Sequence, residues 1–240
     1  VKDGITVNLV YDGRAAKVML NQEKVKQIEE YYAQCELEGA NEHQIDESQK
    51  AVAKMEAIIG DPNRLRAVAE DFVKHYETRV AEGATVAGKA MFVCSNRTIA
   101  YNFYKIIKEL RPEWTEKKIC DDGITLSEKD KKELKPMEKI KLVMTRNKDD
   151  EKDLFDMLGT KEDRKEFDRQ FKNPKSNFKI AIVVDMWLTG FDVPELDTIY
   201  IDKPIQQHTL IQTISRVNRV CEGKDKGLIV DYIGIKKNMN

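Results

Sequence analysis

Three short apolar runs near the end of the chain restrict its fold most strongly. They lie at Ile180–Val184, Thr198–Ile201 and Gly227–Ile233, and they are rich in β-branched residues. Each run is too short for a typical helix and too uniformly apolar for a strand with one exposed face. Such runs are typical of strands in a parallel sheet that is covered on both faces. An earlier run, Ala90–Cys94, has the same character.

Strands and helices are predicted to alternate from Lys89 onward. The strand Ala90–Cys94 is followed by a predicted helix over 98–110, by a return to the sheet at Lys139–Thr145, and by a helix from Glu162 to Phe171. This alternation predicts an α/β fold, a parallel sheet with helices on both faces.

The residues before Lys89 have a different character. They predict a strand within Ile5–Tyr11, followed by long, charge-rich helices. Gly60-Asp61-Pro62 predicts the end of one helix and the capped start of the next. Gly83–Gly88 has the composition of a linker. We therefore expect a mainly helical connector or satellite segment over residues 1–88 and the main domain over residues 89–240.

Composition excludes several classes of protein. The 240 residues carry a net charge of −1, so any nucleic-acid contact must come from a local patch. The four cysteines lie far apart without a CxxC pair, which favours reduced thiols in a cytoplasmic protein and no metal site. No apolar run approaches the length of a membrane span, and no signal peptide opens the sequence. The Lys/Glu-rich run Ser127–Lys139 is predicted to be a solvated, loosely ordered excursion.

A helix is predicted from about Gln207 to Cys221, between the second and third apolar runs. It carries Gln212, Arg216 and Arg219 at positions i, i+4 and i+7, which fall on one face of a helix. A planar guanidinium fits phosphate oxygens well. The alternative is an ordinary solvated helix face with two arginines.

Two segments resemble sequence motifs of superfamily 2 helicases. Gln212-x-x-x-Arg216-x-x-Arg219 resembles motif VI, and Val184–Asp192 resembles motif V. Four segments are similar in sequence to the motor (R) subunit of type I restriction-modification enzymes: MWLTGFDVP, IDKP, HTLIQTISRVNR and GLIVDYIGI. The resemblance implies a RecA-like fold, specifically the second of two motor domains that enclose ATP.

The resemblance also implies roles for residues at the nucleotide. Arg219 corresponds to the arginine finger that reaches the γ-phosphate, and Arg216 to the neighbouring phosphate-contacting arginine. Gln212, Gly190 and Asp192 correspond to positions near the nucleotide.

A further set of residues corresponds to positions outside the nucleotide site. Asp185 corresponds to a residue that helps to hold the arrangement of the two motor domains. Val184 departs from the threonine that often contacts the nucleic-acid backbone, and Ser215 and Asn218 stand where many helicases carry glycine.

Polar and basic side chains follow two of the predicted strands. Open α/β sheets bind ligands at the carboxyl ends of their strands, and the first of these strand ends corresponds to motif IV, whose loop contacts the nucleic-acid backbone. The alternative is an ordinary strand-to-helix turn capped by serine or asparagine. The candidate DNA-binding residues are Ser95, Asn96, Arg97, Thr145 and Arg146.

The sequence lacks the parts needed for ATP hydrolysis by one domain. It has no GxxxxGK[ST] loop and no acidic strand end to hold Mg²⁺. We therefore expect a fragment, inactive alone, whose ATP and Mg²⁺ are bound mainly by the first RecA-like domain of the same chain. The resemblance implies double-stranded DNA, a nuclease domain, and specificity and methylation subunits as partners, with no membrane. The alternatives are a related superfamily 2 helicase or remodelling ATPase, and a non-catalytic nucleic-acid-binding module.

Overall fold

A single parallel sheet organises the chain in a computed structural model. The structure describes residues 6–18, 26, 27, 30, 52–188, 190–205 and 207–234. Within them, six strands pair in the order β1-β6-β5-β2-β4-β3, all parallel. The strands are β1 (Asn8–Gly13), β2 (Ala90–Cys94), β3 (Ile140–Val143), β4 (Ile180–Val183), β5 (Thr198–Asp202) and β6 (Lys226–Asp231). The predicted parallel sheet is confirmed.

Helices connect these strands. The described ones are α1 (Ala15–Val18), α2 (Pro62–Ala81), α3 (Arg97–Leu110), α4 (Glu128–Glu133), α5 (Lys152–Leu158), α6 (Lys161–Lys172) and α7 (Gln207–Ile214), with a 3₁₀ turn at Pro112–Thr115. Residues 52–59 are helical as well.

Helices cover both faces of the sheet. Phe92 of β2 and Tyr200 of β5 are paired in register and therefore share one face, where Phe72 of α2 packs edge-on against both rings. On the opposite face, Lys141 of β3 lies against the ring of Phe167 of α6, 4.5 Å from its centroid. The α/β fold with two covered faces is confirmed.

The start of α2 follows the predicted capping pattern. The Asp61 side chain accepts hydrogen bonds from the backbone N–H groups of Asn63 and Arg64, and Pro62 opens the helix. These bonds satisfy donors that the first turn leaves unpaired.

The described residues before 88 share the core of the sheet. β1 pairs with β6, and Phe72 of α2 is fully buried against the sheet. The boundary at 88 stays a prediction. The predictions for residues 31–51 lie outside the described residues.

The run Ser127–Lys139 is more ordered than predicted. It is solvated along α4, but Ser127 and Asp130 form a reciprocal capping box, and Leu134 and Met137 are buried. The two apolar side chains anchor the charged helix to the domain, a tertiary contact that its composition does not reveal.

Candidate functional site

The helix that carries Gln212 ends at Ile214. The predicted helix to Cys221 is therefore wrong in its second half, and the three motif residues do not share one helix face. After Ile214, the N–H of Val217 bonds to the carbonyl of Ile214, a spacing of three residues that tightens the chain into a turn. Val217 is fully buried. The buried position of Val217 is reached by this turn and not by the continued helix that the spacing of the sequence predicts.

Arg216 is fixed to the loop between β4 and β5. Its Nε donates to the carbonyl of Leu188 (3.3 Å) and its Nη1 to that of Phe191 (2.8 Å). Phe191 in turn stacks on Trp187 with ring centroids 4.1 Å apart. Gly190 in the same loop has φ of +68°, a conformation that L side chains rarely adopt. The Arg216 side chain thus holds this loop through the backbone carbonyls of the loop.

Arg219 and Asp192 are brought together at the surface. The Arg219 Nε lies 3.3 Å from Asp192 Oδ1, with side chains 45% and 58% exposed. A guanidinium in this position faces solvent and can meet an incoming anion. Arg219 is therefore open to solvent, whereas Arg216 is engaged by backbone carbonyls of the loop.

Asp185 lies at the carboxyl end of β4 and is 81% exposed. Its Oδ1 accepts from Lys203 Nζ at 2.5 Å, and the same ammonium group donates to the carbonyl of Val184 at 3.1 Å. Lys203 follows β5, so this ion pair joins the ends of two strands. The predicted role of Asp185 between domains stays a prediction.

Ser95 and Asn96 take part in local structure. The Asn96 side chain accepts from the N–H of Ile99 at 2.9 Å and caps α3. The Ser95 hydroxyl donates to the carbonyl of Asp202 at 3.0 Å. Both contacts fit the alternative of an ordinary strand-to-helix turn.

Arg97 joins the strand end of β2 to the loop after β3. Its Nη1 donates to the carbonyl of Thr145 (2.6 Å), and its Nη2 lies 2.6 Å from both carboxylate oxygens of Asp150. Burial acts to raise the pKa of Asp150, but hydrogen bonds from the Asn147 N–H and Arg97 hold that pKa below its ordinary value. Arg146 donates through Nε to the carbonyl of Phe155 (2.8 Å).

Two of the candidate DNA-binding residues, Arg97 and Thr145, line a small cleft of about 190 Å³ at the ends of β3 and β4. Its polar lining includes Arg97, Thr145, Asn147 and Asp185. Sequence reasoning missed Asp150 and Lys203 as partners in this region. Asp150 lies within a long charged run, and its partner Arg97 is 53 positions away, so no local pattern reveals the contact.

The candidate DNA-binding residues and the candidate finger Arg219 lie at opposite ends of the parallel strands. The carboxyl ends of parallel strands share one edge, which places Ser95 and Thr145 there. The backbone of Arg219, however, forms an antiparallel bridge with Thr6, two positions ahead of β1. Val217 lies against Gly227, near the start of β6. The segment from Val217 to Arg219 therefore lies at the amino ends of the strands.

No described group of three or more His, Cys, Asp or Glu side chains is arranged to hold a metal ion. None of the described helices is long and apolar enough to cross a membrane.

Comparisons with known proteins identify the family. Residues 86–234 match the model of type I restriction enzyme subunit R domain 3. The chain is 36% identical over 242 residues to the type I restriction enzyme HindI endonuclease subunit of Haemophilus influenzae. It is 35% identical over 241 residues to a Methanocaldococcus jannaschii protein described as the type I restriction enzyme MjaIXP endonuclease subunit. Both alignments cover 100% of this chain and 20% of the relative, so the chain spans about a fifth of their length.

A solved structure has a similar fold. It is a fragment described as an HsdR subunit of a type I restriction enzyme from Vibrio vulnificus YJ016, with a TM-score of 0.55 at 12% identity. The match covers 99% of this chain and 34% of that one. The chain belongs to the family of type I restriction enzyme R subunits, and its residues 86–234 correspond to domain 3 of that family.

Proposed function

We propose that this chain is the second motor domain of an ATP-driven DNA translocase in a type I restriction endonuclease. In this proposal it completes an ATP site from one side and contacts the DNA backbone. Its partners are the first RecA-like domain and the nuclease domain of the same subunit, together with the specificity and methylation subunits and double-stranded DNA.

The exposed Arg219 guanidinium is the observation that carries the proposal. Arg219 faces solvent beside Asp192, whereas Arg216 donates to two loop carbonyls. This contrast supports Arg219 as the residue that reaches the transferring phosphate and Arg216 as the residue that holds the neighbouring loop. The direct phosphate contact predicted for Arg216 is kept as part of the proposal, as are the contacts of Gln212.

In this proposal the chain meets ATP from one side only and supplies no ligand to Mg²⁺. Arg219 offers a charged fork suited to phosphate oxygens, and it would act on charge that develops during phosphoryl transfer. We assign the Mg²⁺ ligands and the phosphate-binding loop to the first motor domain. The chain alone is accordingly expected to hydrolyse no ATP.

The test is replacement of Arg219 in the full-length subunit. Arginine fingers contribute about 10³–10⁵ in rate, so Arg219→Ala should lower the ATPase kcat by that order while KM for ATP changes little. Arg219→Lys should restore little, because a point charge does not reproduce the planar fork. Arg66→Ala, which removes another exposed arginine, is the matched control and should retain wild-type turnover. Near-wild-type kcat for Arg219→Ala would refute the proposal.

A further inference from the structure

The segment leading into β1 contacts the backbone around Arg219. The N–H of Val7 donates to the carbonyl of Asn218 at 2.7 Å, and Thr6 forms an antiparallel bridge with Arg219 itself. This segment precedes the matched residues 86–234 by some eighty positions. Arg219 is thus held by a part of the chain far away in sequence.

The start of β6 supports the same backbone from another direction. A Cβ atom added at Gly227 would lie 2.3 Å from the carbonyl oxygen of Val217 and 3.1 Å from a methyl group of Leu9. Such distances are tighter than side chains tolerate, so glycine is required for this close approach. The chain from Val217 to Arg219 therefore packs against both the segment leading into β1 and the start of β6.

The other end of β1 is anchored to the domain by side chains. The Tyr11 hydroxyl donates to the Asp231 carboxylate at the end of β6. Arg14 Nη1 donates to both carboxylate oxygens of Asp71 on α2, at 2.7 and 2.8 Å. In between, β1 pairs residue by residue with β6 from Asn8 to Gly13. These contacts fix the strand along its length.

We infer that the Thr6–Val7 segment is a positioning element for Arg219, and this inference rests on the proposed function. In this inference Val7 acts through the backbone and not by contact with the nucleotide. Its backbone N–H sets where the polypeptide carrying the finger lies relative to the domain. Phosphoryl transfer depends on such placement, since a displacement of about 1 Å can cost about 100-fold in rate.

The experiment uses Val7→Pro in the full-length subunit, because proline removes the N–H that bonds to Asn218. We expect kcat for ATP hydrolysis to fall about 10–100-fold with KM within about 2-fold. Val10→Ala, a truncation of a part-exposed side chain within β1, is the control and should behave as wild type. Wild-type kcat for Val7→Pro would overturn the inference.

A double variant separates positioning from general loss of structure. Once Arg219→Ala has removed the finger, Val7→Pro should lower the residual single-turnover rate no further, since both changes act on one group. If Val7→Pro lowered the single-turnover rate as much in the Arg219→Ala background as in the wild type, the inference would be overturned. If Val7→Pro fails to fold, Tyr11→Phe takes its place as the test. Loss of the Tyr11 hydroxyl should loosen β1 and lower kcat about 2–5-fold. An unchanged kcat would overturn the inference.

The Arg219→Ala result distinguishes failure of the proposed function from failure of the positioning inference. If Arg219→Ala turns over ATP like wild type, the proposed function fails and the inference fails with it. If Arg219→Ala is inactive while Val7→Pro is fully active, only the positioning role of the Thr6–Val7 segment is lost.

Discussion

Arg64 of α2 and Asp202 of β5 form an ion pair in which neither side chain is exposed. Arg64 Nη2 lies 2.5 Å from Asp202 Oδ1, and Nη1 lies 3.1 Å from Oδ2. The guanidinium also donates to the carbonyls of Ile59 and Tyr232. One buried arginine therefore fixes the first turn of α2 to the carboxyl ends of β5 and β6.

Removing one partner of this pair should destabilise the domain strongly. Arg64→Met leaves the Asp202 carboxylate buried without its counter-charge, a change that typically costs about 3–5 kcal/mol. The double variant Arg64→Met/Asp202→Leu should cost less than the two single changes added together. Urea unfolding of the purified chain measures all three free energies.

The matched control for this prediction is Arg66→Met on the same helix. The Arg66 side chain is half exposed, so the free energy of unfolding should change by less than about 0.5 kcal/mol. Additive effects of the two core variants would show that Arg64 and Asp202 contribute independently, against the prediction.

His75 should make stability depend on pH. Its Nδ1 lies 2.9 Å from the Tyr200 hydroxyl, and burial, followed by the charges of Arg14 and Arg79, lowers its pKa from 6.5 to about 4. Between pH 6.5 and 4, His75 is therefore protonated in the unfolded chain but stays neutral in the folded chain. Stability should fall as the pH drops through this window and be insensitive to His75 above about pH 7.

Comparison with His75→Gln isolates this effect from the carboxylates. Glutamine keeps a polar group near Tyr200 but does not titrate. Between pH 7 and 4.5 the wild type should lose about 1–2 kcal/mol more than the variant, a figure below the full shift because the ring keeps some contact with solvent. Parallel stability curves for the two proteins would contradict the lowered pKa.

The sheet could be predicted from sequence because its strands are locally distinctive. Ala90–Cys94 is observed with the predicted bounds, and the runs at Ile180, Thr198 and Gly227 form β4, β5 and β6. In each case uniform apolar, β-branched composition matches burial on both faces. The pairing of β1 with β6 could not be predicted, because register between distant segments leaves no local pattern.

The arrangement of the candidate site was less accessible to sequence reasoning. The spacing of Gln212, Arg216 and Arg219 suits a helix, but burial of Val217 and its approach to Gly227 end the helix early. Local periodicity describes the isolated segment, whereas the fold is decided by contacts with β1 and β6. The family resemblance placed Arg219 and Asp192 separately near the nucleotide, and their ion pair was not predicted.

We expect DNA to bind at the carboxyl ends of the strands. Arg97 is committed to Thr145 and Asp150, which leaves the exposed Lys148 of the same loop free to reach phosphates. Binding of a duplex by the purified chain should be weak, indifferent to sequence and steeply weakened by salt, because phosphate contacts release counterions. Fluorescence anisotropy between about 50 and 200 mM salt measures the slope of affinity against salt concentration.

Lys148→Ala tests that loop directly. Loss of one phosphate contact should weaken binding to all sequences equally and reduce the salt slope by about 1. Lys74→Ala, which removes an exposed lysine from the middle of α2, should leave both quantities unchanged. Affinity that is unaffected by Lys148→Ala and flat with salt would move the DNA contact away from this edge, whatever role Arg219 has at the other.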